Sequence, residues 1–432
     1  MAWLKHQTRS VIAFAILVTG VLCFGGPARA NESGLELISA ENFAIFGDFR
    51  LSAADGERSW VDSEFGKLRD GGTASQDVNV QPELGSAALV WQPRFNWSLS
   101  GTVVALVQGG GKAEVGVSEA FLNFKPLGGG MVKISARAGL MIPPISLEHS
   151  GAEWGVTETI TPSAINSWIG EEVRVAGIEI TGRANLGEHR LAATFAGFDL
   201  NDTAGALLAF RGWALHDRVA LAFRSQPLPP HSPSWPVQLP RYSHPVIDID
   251  GGVLRRPGYF AKLAWDMPIP VHVEFLHFDN NGNPQAVNAN REYGWRTKFD
   301  NIGLVAELAD KWELRAQVMQ GRTIMGLEST RELAVDMRFR AAYAMVTRSM
   351  NRGSISGRID LFGTRNRGTI LMQDDDEDGW AVTAAARRSL SMNFEMLAEI
   401  LHAKTTRGAR NRIGIPPRQT QNQLLVSMRL HW

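Results

Sequence analysis

The sequence predicts an all-β fold, a transmembrane antiparallel β-barrel of about sixteen strands with short periplasmic turns and long external loops. Three observations predict it. The first is the stretch Gln421 to Trp432, where Leu424, Val426, Met428, Leu430 and Trp432 fall on one face. Gln423, Ser427, Arg429 and His431 fall on the other, with Leu425 the exception. A two-residue period of this kind makes a strand with one apolar and one polar face. A barrel's last strand must pair with its first and leave no edge, and an aromatic end suits that position.

The second observation is the amino-terminus. Lys5, His6 and Arg9 precede an apolar run from Val11 to Phe24, and Ala28-Arg29-Ala30 offers a small-residue cleavage site. Residues 1–30 therefore read as a secretory signal peptide, with the barrel over 31–432. Leu22 stands before Cys23 where a lipoprotein site needs a small residue. Cleavage removes the one cysteine, so neither a disulfide framework nor thiolate chemistry is expected. It also takes Lys5, Arg9 and Arg29 from a chain with 44 basic and 44 acidic residues, leaving a net charge of −3. That balance argues against nucleic acid as a partner.

The third observation is the order of the runs. No later stretch is apolar for long enough to span a membrane as a helix. Phe43, Ile45, Gly47, Phe49 and Leu51 open a first strand, and a long polar loop follows to Pro82. Ala87, Leu89 and Trp91 lead into the tight turn at Gln92-Pro93-Arg94, and Phe95 to Ala105 lead out of it. A strand ending near Phe124, a Gly-rich turn and the alternating run Val132 to Leu140 come next. Short turns then fall near Asn185–Glu188, Asp266–Pro270, Ala309–Lys311, Met350–Gly353 and Arg388–Ser391. Longer connections fall at Met141–Glu172, Asp199–Pro257, Asn280–Asn290, Gly321–Thr330, Asn366–Gly379 and Arg407–Thr420. Alternating short and long connectors distinguish a membrane barrel from a sandwich, and Asp199–Pro257 has room for another hairpin. Phe43, Trp91, Phe95, Trp97, Phe124, Trp265, Phe394 and Trp432 sit beside the short turns, and Tyr293, Trp295 and Trp380 follow long loops. These are expected to form the two interfacial girdles.

If the apolar face is outward, the polar face lines a wet lumen, since a barrel of this size leaves an aqueous channel. The expected pore-lining residues are Arg50, Lys133, Arg137, Arg296, Lys298, Arg315, Asp336, Arg338, Arg340, Arg358, Asp360 and Arg429. Lys262 and the acids Asp48, Glu274, Asp300, Glu313, Glu395 and Glu399 share that parity. Interleaved charges of this kind brace the wall and together set the field an ion feels. The connection at 141–172 is expected to fold inward as a constriction, because Ile142, Ile145, Trp154, Ile160, Ile165, Trp168 and Ile169 do not suit a solvated loop. It carries Glu148, Glu153, Glu158, Glu171 and Glu172, which would favour cations locally.

Arg137-Ala138-Gly139-Leu140, Pro143-Pro144, Leu147-Glu148, Thr161-Pro162-Ser163-Ala164-Ile165-Asn166 and Arg358-Ile359-Asp360-Leu361-Phe362 resemble elements of phosphate-selective-type outer-membrane porins. The resemblance implies a homotrimer that conducts small anions such as phosphate. The chain departs from the family in having few lysines and an acidic third loop. Trp432 likewise resembles the terminal signal read by the barrel-assembly machinery. The expected function is passive diffusion of small hydrophilic solutes or ions through the outer membrane, among its lipids and lipopolysaccharide.

Other chemistry is sparse. Asp374-Asp375-Asp376-Glu377-Asp378-Gly379 begins like a calcium loop, but Ala385 stands where the bidentate acid belongs. No phosphate-cradling, HExxH or CxxC motif is present, and no metal or cofactor is expected. An outer-membrane lipid hydrolase needs an outward histidine with a serine partner, for which His277 and His402 are the candidates. A non-conducting structural barrel is the remaining alternative.

Overall fold

The computed structural model describes residues 37–432 apart from 111–112, 126–129, 152, 223, 232–239, 251–254, 327–331 and 369–373. The signal segment 1–30 thus lies outside the described residues. The first half of the wall is β1 (Phe43–Ala54), β2 (Asn79–Trp91), β3 (Leu99–Gln108), β4 (Glu114–Phe124), β5 (Val132–Met141), β6 (Val175–Leu186), β7 (His189–Asp199) and β8 (Gly258–Asp266). The second half is β9 (Val271–Asp279), β10 (Arg296–Ala309), β11 (Trp312–Gly326), β12 (Leu333–Met350), β13 (Gly353–Asn366), β14 (Glu377–Ser389), β15 (Phe394–Arg407) and β16 (Arg418–His431). Each strand pairs with its neighbours in sequence, and the sixteen close into one barrel.

The seam runs antiparallel from Phe46 opposite His431 to Ala54 opposite Gln423. Ile45 and Trp432 exchange backbone hydrogen bonds of 2.7 and 2.9 Å, which carries the seam one pair further. The indole of Trp432 stays half exposed. Two-residue turns join β6 to β7, β10 to β11 and β12 to β13, with Gly187 and Lys311 at positive φ as tight hairpins require. Long connections lie at the opposite end. Asp199–Pro257 contributes no wall strand among the described residues, only a short ladder of Gln226–Pro227 with Tyr242–Ser243.

The outward face carries an apolar belt: Leu263 is 63 % exposed and Ile400 62 %, and Ile178, Ile302, Val318 and Leu361 are exposed as well. A closed wall with no free backbone edge and an apolar exterior is a membrane-spanning barrel, and this one belongs to the outer membrane. Trp97, Phe124, Trp265, Phe394 and Trp380 are exposed as interfacial aromatics should be. Trp295 is not: it is buried and packs edge-on against Phe210, 5.5 Å between ring centres.

A sixteen-strand wall encloses more space than its own side chains fill. Here the external loops fill the outer half. The third loop enters the lumen with helix α1 (Ala164–Glu172), and the fourth follows with helix α2 (Ala206–Arg211). Ser163 caps α1 by accepting from the Asn166 N–H at 3.3 Å. Ile142, Ile145, Ile160, Ile165, Trp168 and Ile169 are all buried there. Trp168 stands against Phe339 of β12 at 5.2 Å, Phe299 of β10 at 5.4 Å and Trp213 of the fourth loop at 5.9 Å. The first loop joins through a bridge between Leu68 and Leu215. Around α1 the lumen is therefore narrowed by packed apolar side chains.

That packing reverses the expected facing of one side of the wall. Met337 and Phe339 point inward and are buried, while Arg338 and Arg340 point outward and are exposed. By the same register Arg296, Lys298, Asp300 and Asp336 are outward, because Thr297 and Phe299 take the inward positions. The physical reason is direct. Apolar side chains at this level have an apolar plug to bury against, and the charges leave for the wet exterior above the belt.

Candidate functional site

Two regions follow from this arrangement, a plug of docked loops and a vestibule on the periplasmic side of it. The plug is pinned by wall residues that bond loop backbone. Arg358 of β13 is buried and spends its guanidinium on Asp360 at 2.8 Å, Glu148 at 3.1 Å, the Thr161 carbonyl at 2.7 Å and the Pro162 carbonyl at 3.0 Å. Glu148 in turn accepts from the Ser163 and Asn166 side chains, and Asp360 from the Ala164 N–H at 3.0 Å. Glu399 accepts from the Ile160 N–H at 2.6 Å. Arg429 reaches the Val156 carbonyl at 2.6 Å and Asp48 at 3.2 Å. The Thr161-Pro162-Ser163 corner and the Arg358–Asp360 strand, far apart in sequence, are thus one buried cluster. Every charge in it has a partner, as burial demands.

A second buried network ties α1 to the fourth loop. Arg211 binds Glu171 with two bonds of 2.6 and 2.7 Å and lies 4.6 Å over the Trp60 ring. His216 adds a contact to Glu171 at 3.2 Å. Burial pushes the Glu171 carboxyl up, yet Arg211 and His216 outweigh it and hold the group at about 2. Glu172, one residue on, forms no ion pair among the described residues, and Arg211 acts on it only weakly. It accepts from the Leu207 N–H at 2.8 Å and the Trp168 indole at 2.7 Å, and burial raises it to about 7. Asp217 bridges Arg50 at 2.5 Å and Arg69 at 2.7 Å.

The raised Glu172 carboxyl gives a pH signature. Its folded value lies above the ordinary 4.5, so its stabilising contribution is complete below about 4.5 and is lost as pH rises through about 7. The change is on the order of 3 kcal/mol. The unfolding midpoint of the reconstituted barrel is expected to fall between pH 5 and pH 8, and Glu172→Gln to flatten that fall. An unchanged slope in the variant would assign the dependence to another group.

The vestibule comprises two neighbouring cavities of about 760 and 560 Å³ that share Asn123, Lys125, Arg137 and Pro144. Arg137 grips Glu179 with bonds of 2.9 and 2.7 Å and lies 5.2 Å over the Phe121 ring. Lys262 holds Glu274 at 2.5 Å and the Pro144 carbonyl at 2.8 Å. Arg183 bonds Ser135 at 3.0 Å, and among the described residues Arg183, Arg190 and Lys125 form no ion pair. In the larger cavity Glu179 and Glu274 are paired with Arg137 and Lys262, and Asp266 with His272, while Arg183, Arg190 and Lys125 are not; Glu41 and Glu119 of the smaller cavity form no ion pair among the described residues, so the positive bias lies in the larger one.

The expected lining residues divide three ways. Arg137 borders the vestibule, Lys133 shares its parity at the exposed lip, and Arg315 faces in, paired with Glu313 at 2.6 Å. Arg50, Arg358, Asp360 and Arg429 face in but are buried in the plug and its anchors. Arg296, Lys298, Asp336, Arg338 and Arg340 are on the outside of the barrel and do not line a pore. In the third loop Glu148, Glu171 and Glu172 are buried, so they cannot act as a water-facing cation lure. Glu153 is half-buried, and Glu158 lies 3.6 Å from Arg387 and accepts from Ser354. Arg183, Arg190, Arg211 and Asp217 are functional positions beyond those the sequence predicts. The first two lay on the polar parity of their strands, whereas nothing in sequence tied the last two to the wall.

The calcium-like run also resolves into structure. Asp375 is buried between Arg407 at 3.2 Å and Arg412 at 2.9 Å, and Glu377 holds Lys67 at 2.5 Å. No cluster of metal-binding side chains occurs among the described residues. The two outward histidines have carboxamide or carboxylate partners, His402 with Asn422 and His277 with Asp300, both at 2.7 Å. Neither is joined to a serine among the described residues; the other His277 nitrogen faces the Tyr259 hydroxyl at 3.4 Å.

No protein-family model and no curated protein matches the chain. Solved structures do. The outer membrane channel DcaP of Acinetobacter baumannii aligns over 91 % of this chain and 99 % of its own, with TM-score 0.55 at 8 % identity. An anion-selective porin from Comamonas acidovorans aligns over 90 % and 99 %, with TM-score 0.47 at 9 % identity. Salmonella typhi OmpF aligns over 94 % and 100 %, with TM-score 0.46 at 8 % identity. With so little identity the likeness is one of architecture, and what the DcaP match establishes is that this chain has the barrel fold of a bacterial outer-membrane channel.

Proposed function

We propose that the protein is a porin for passive diffusion of small hydrophilic solutes, with a preference for anions, phosphate among them. The observation that carries the reading is the larger cavity of the vestibule, where Glu179 and Glu274 are neutralised at short range while Arg183, Arg190 and Lys125 keep their charge for a passing solute. Positive walls of this kind raise the local anion concentration. The docked loops narrow the outer half, so a small single-channel conductance fits better than that of an open general porin. The homotrimer implied by the family resemblance belongs to the same reading.

Single-channel recordings in a tenfold KCl gradient test it. The reversal potential is expected on the anion-selective side, and Arg183→Ala with Arg190→Ala should move it towards cation selectivity. Millimolar phosphate should reduce the chloride current of the wild type more than that of the variant. A barrel that inserts and never conducts would leave the structural alternative standing.

A further inference from the structure

The charges that turned away from the lumen form a pattern of their own. On four adjacent strands, Lys298 stands opposite Arg322, Arg322 opposite Arg338, and Arg338 opposite Arg365. All four point outward, and Arg340 sits two residues from Arg338 on the same face. Like charges placed directly across strands repel one another. Two of the cations have acids, Arg322 with Asp336 at 2.6 Å and Arg365 with Asp378 at 2.6 Å. Lys298, Arg338 and Arg340 have none among the described residues. A row of this kind is most stable when an external anion completes it.

Its position narrows the choice of anion. On each strand the charge lies at the external end, and the apolar belt begins within a few residues: Ile302, Val318, Ala342 and Leu361 follow in turn. A surface cavity of about 750 Å³ runs among the cations. It meets a second of about 590 Å³, lined by Val318, Ala342, Leu361 and Trp380, and the two share Gln320 and Arg340. A cationic groove above an apolar one, at the height where the membrane interior starts, fits an amphiphile with a phosphorylated head. Guanidinium groups match phosphate oxygens in pairs of bonds. A second copy of this chain suits the site less well, because the outward acids at that height, Asp300, Asp336 and Asp378, are already engaged.

We propose that this face binds a phosphorylated glycolipid of the outer leaflet, with phosphate on the Arg322–Arg338–Arg340 row and acyl chain along Val318, Ala342 and Leu361. The inference is independent of the channel reading, since none of these side chains faces the lumen.

The test is titration of the purified barrel in detergent with diphosphorylated lipid A, its dephosphorylated form and inorganic phosphate, read by native mass spectrometry. Diphosphorylated lipid A should bind, and both other probes should bind at least about tenfold more weakly. Arg338→Ala with Arg340→Ala should lose about tenfold or more in affinity. Arg348→Ala, an outward arginine at the opposite end of β12, should lose nothing. Heat-modifiable migration identical to wild type would show that both variants fold, and the double variant should keep the wild-type reversal potential. Equal lipid binding in the double variant overturns the proposal. So does inorganic phosphate competing as well as the lipid, which would mark a free-anion site. Loss of the native oligomer in the double variant would overturn it in favour of a subunit contact.

Discussion

Arg358→Ala is expected to undock the third loop and to lower the stability of the folded lumen by about 3–5 kcal/mol, the cost of stranding a buried charge. Removing this guanidinium leaves Glu148 and Asp360 buried without their cation and two loop carbonyls without a donor. The wall should survive, because β13 keeps its full ladders with β12 and β14. Insertion and heat-modifiability should therefore stay near wild type, while conductance rises and becomes noisier as the loop samples undocked positions. Arg358→Lys should restore little, since one ammonium cannot reach four acceptors spread across a planar fork. A variant with unchanged conductance and unchanged unfolding would show that Glu399 and the apolar contacts hold the loop without Arg358.

Trp168→Ala should produce the second large effect, at the centre of the plug rather than its anchor. Truncating a buried tryptophan costs about 3–5 kcal/mol through lost transfer energy and the cavity left behind. Here it removes the ring wedged between Phe299 and Phe339 of the wall and Trp213 of the fourth loop, and the donor to Glu172. The two loops then lose their shared contact, so conductance should increase and the unfolding midpoint should fall together. Trp168→Phe keeps most of the apolar contact and should fall between the two. If stability drops while conductance stays fixed, the new cavity is dry and the solute path runs elsewhere in the lumen.

Parity alone makes the Arg358–Asp360 strand the lining of a wet pore. Its inward direction holds, yet its environment is a dry joint. The same rule gives Arg338 and Arg340 the same direction, and they point the other way. Trp295 was expected at the membrane interface and packs on the fourth loop instead.

The sequence by itself determined the barrel. A two-residue period, repeated between alternately short and long connectors, is a local property that indicates a barrel of about sixteen strands and the end at which the loops gather, with the count left open by the room for a hairpin at Asp199–Pro257. What it could not determine was the sign of each face. Alternation says that two faces differ, but an apolar face can meet lipid or a packed loop, and a charged face can meet lumen water or headgroups. That choice depends on what fills the barrel at each height. Only the tertiary structure decided it, by bringing Trp168 and Trp213 against β10 and β12 and so turning Phe339 inward and Arg338 out.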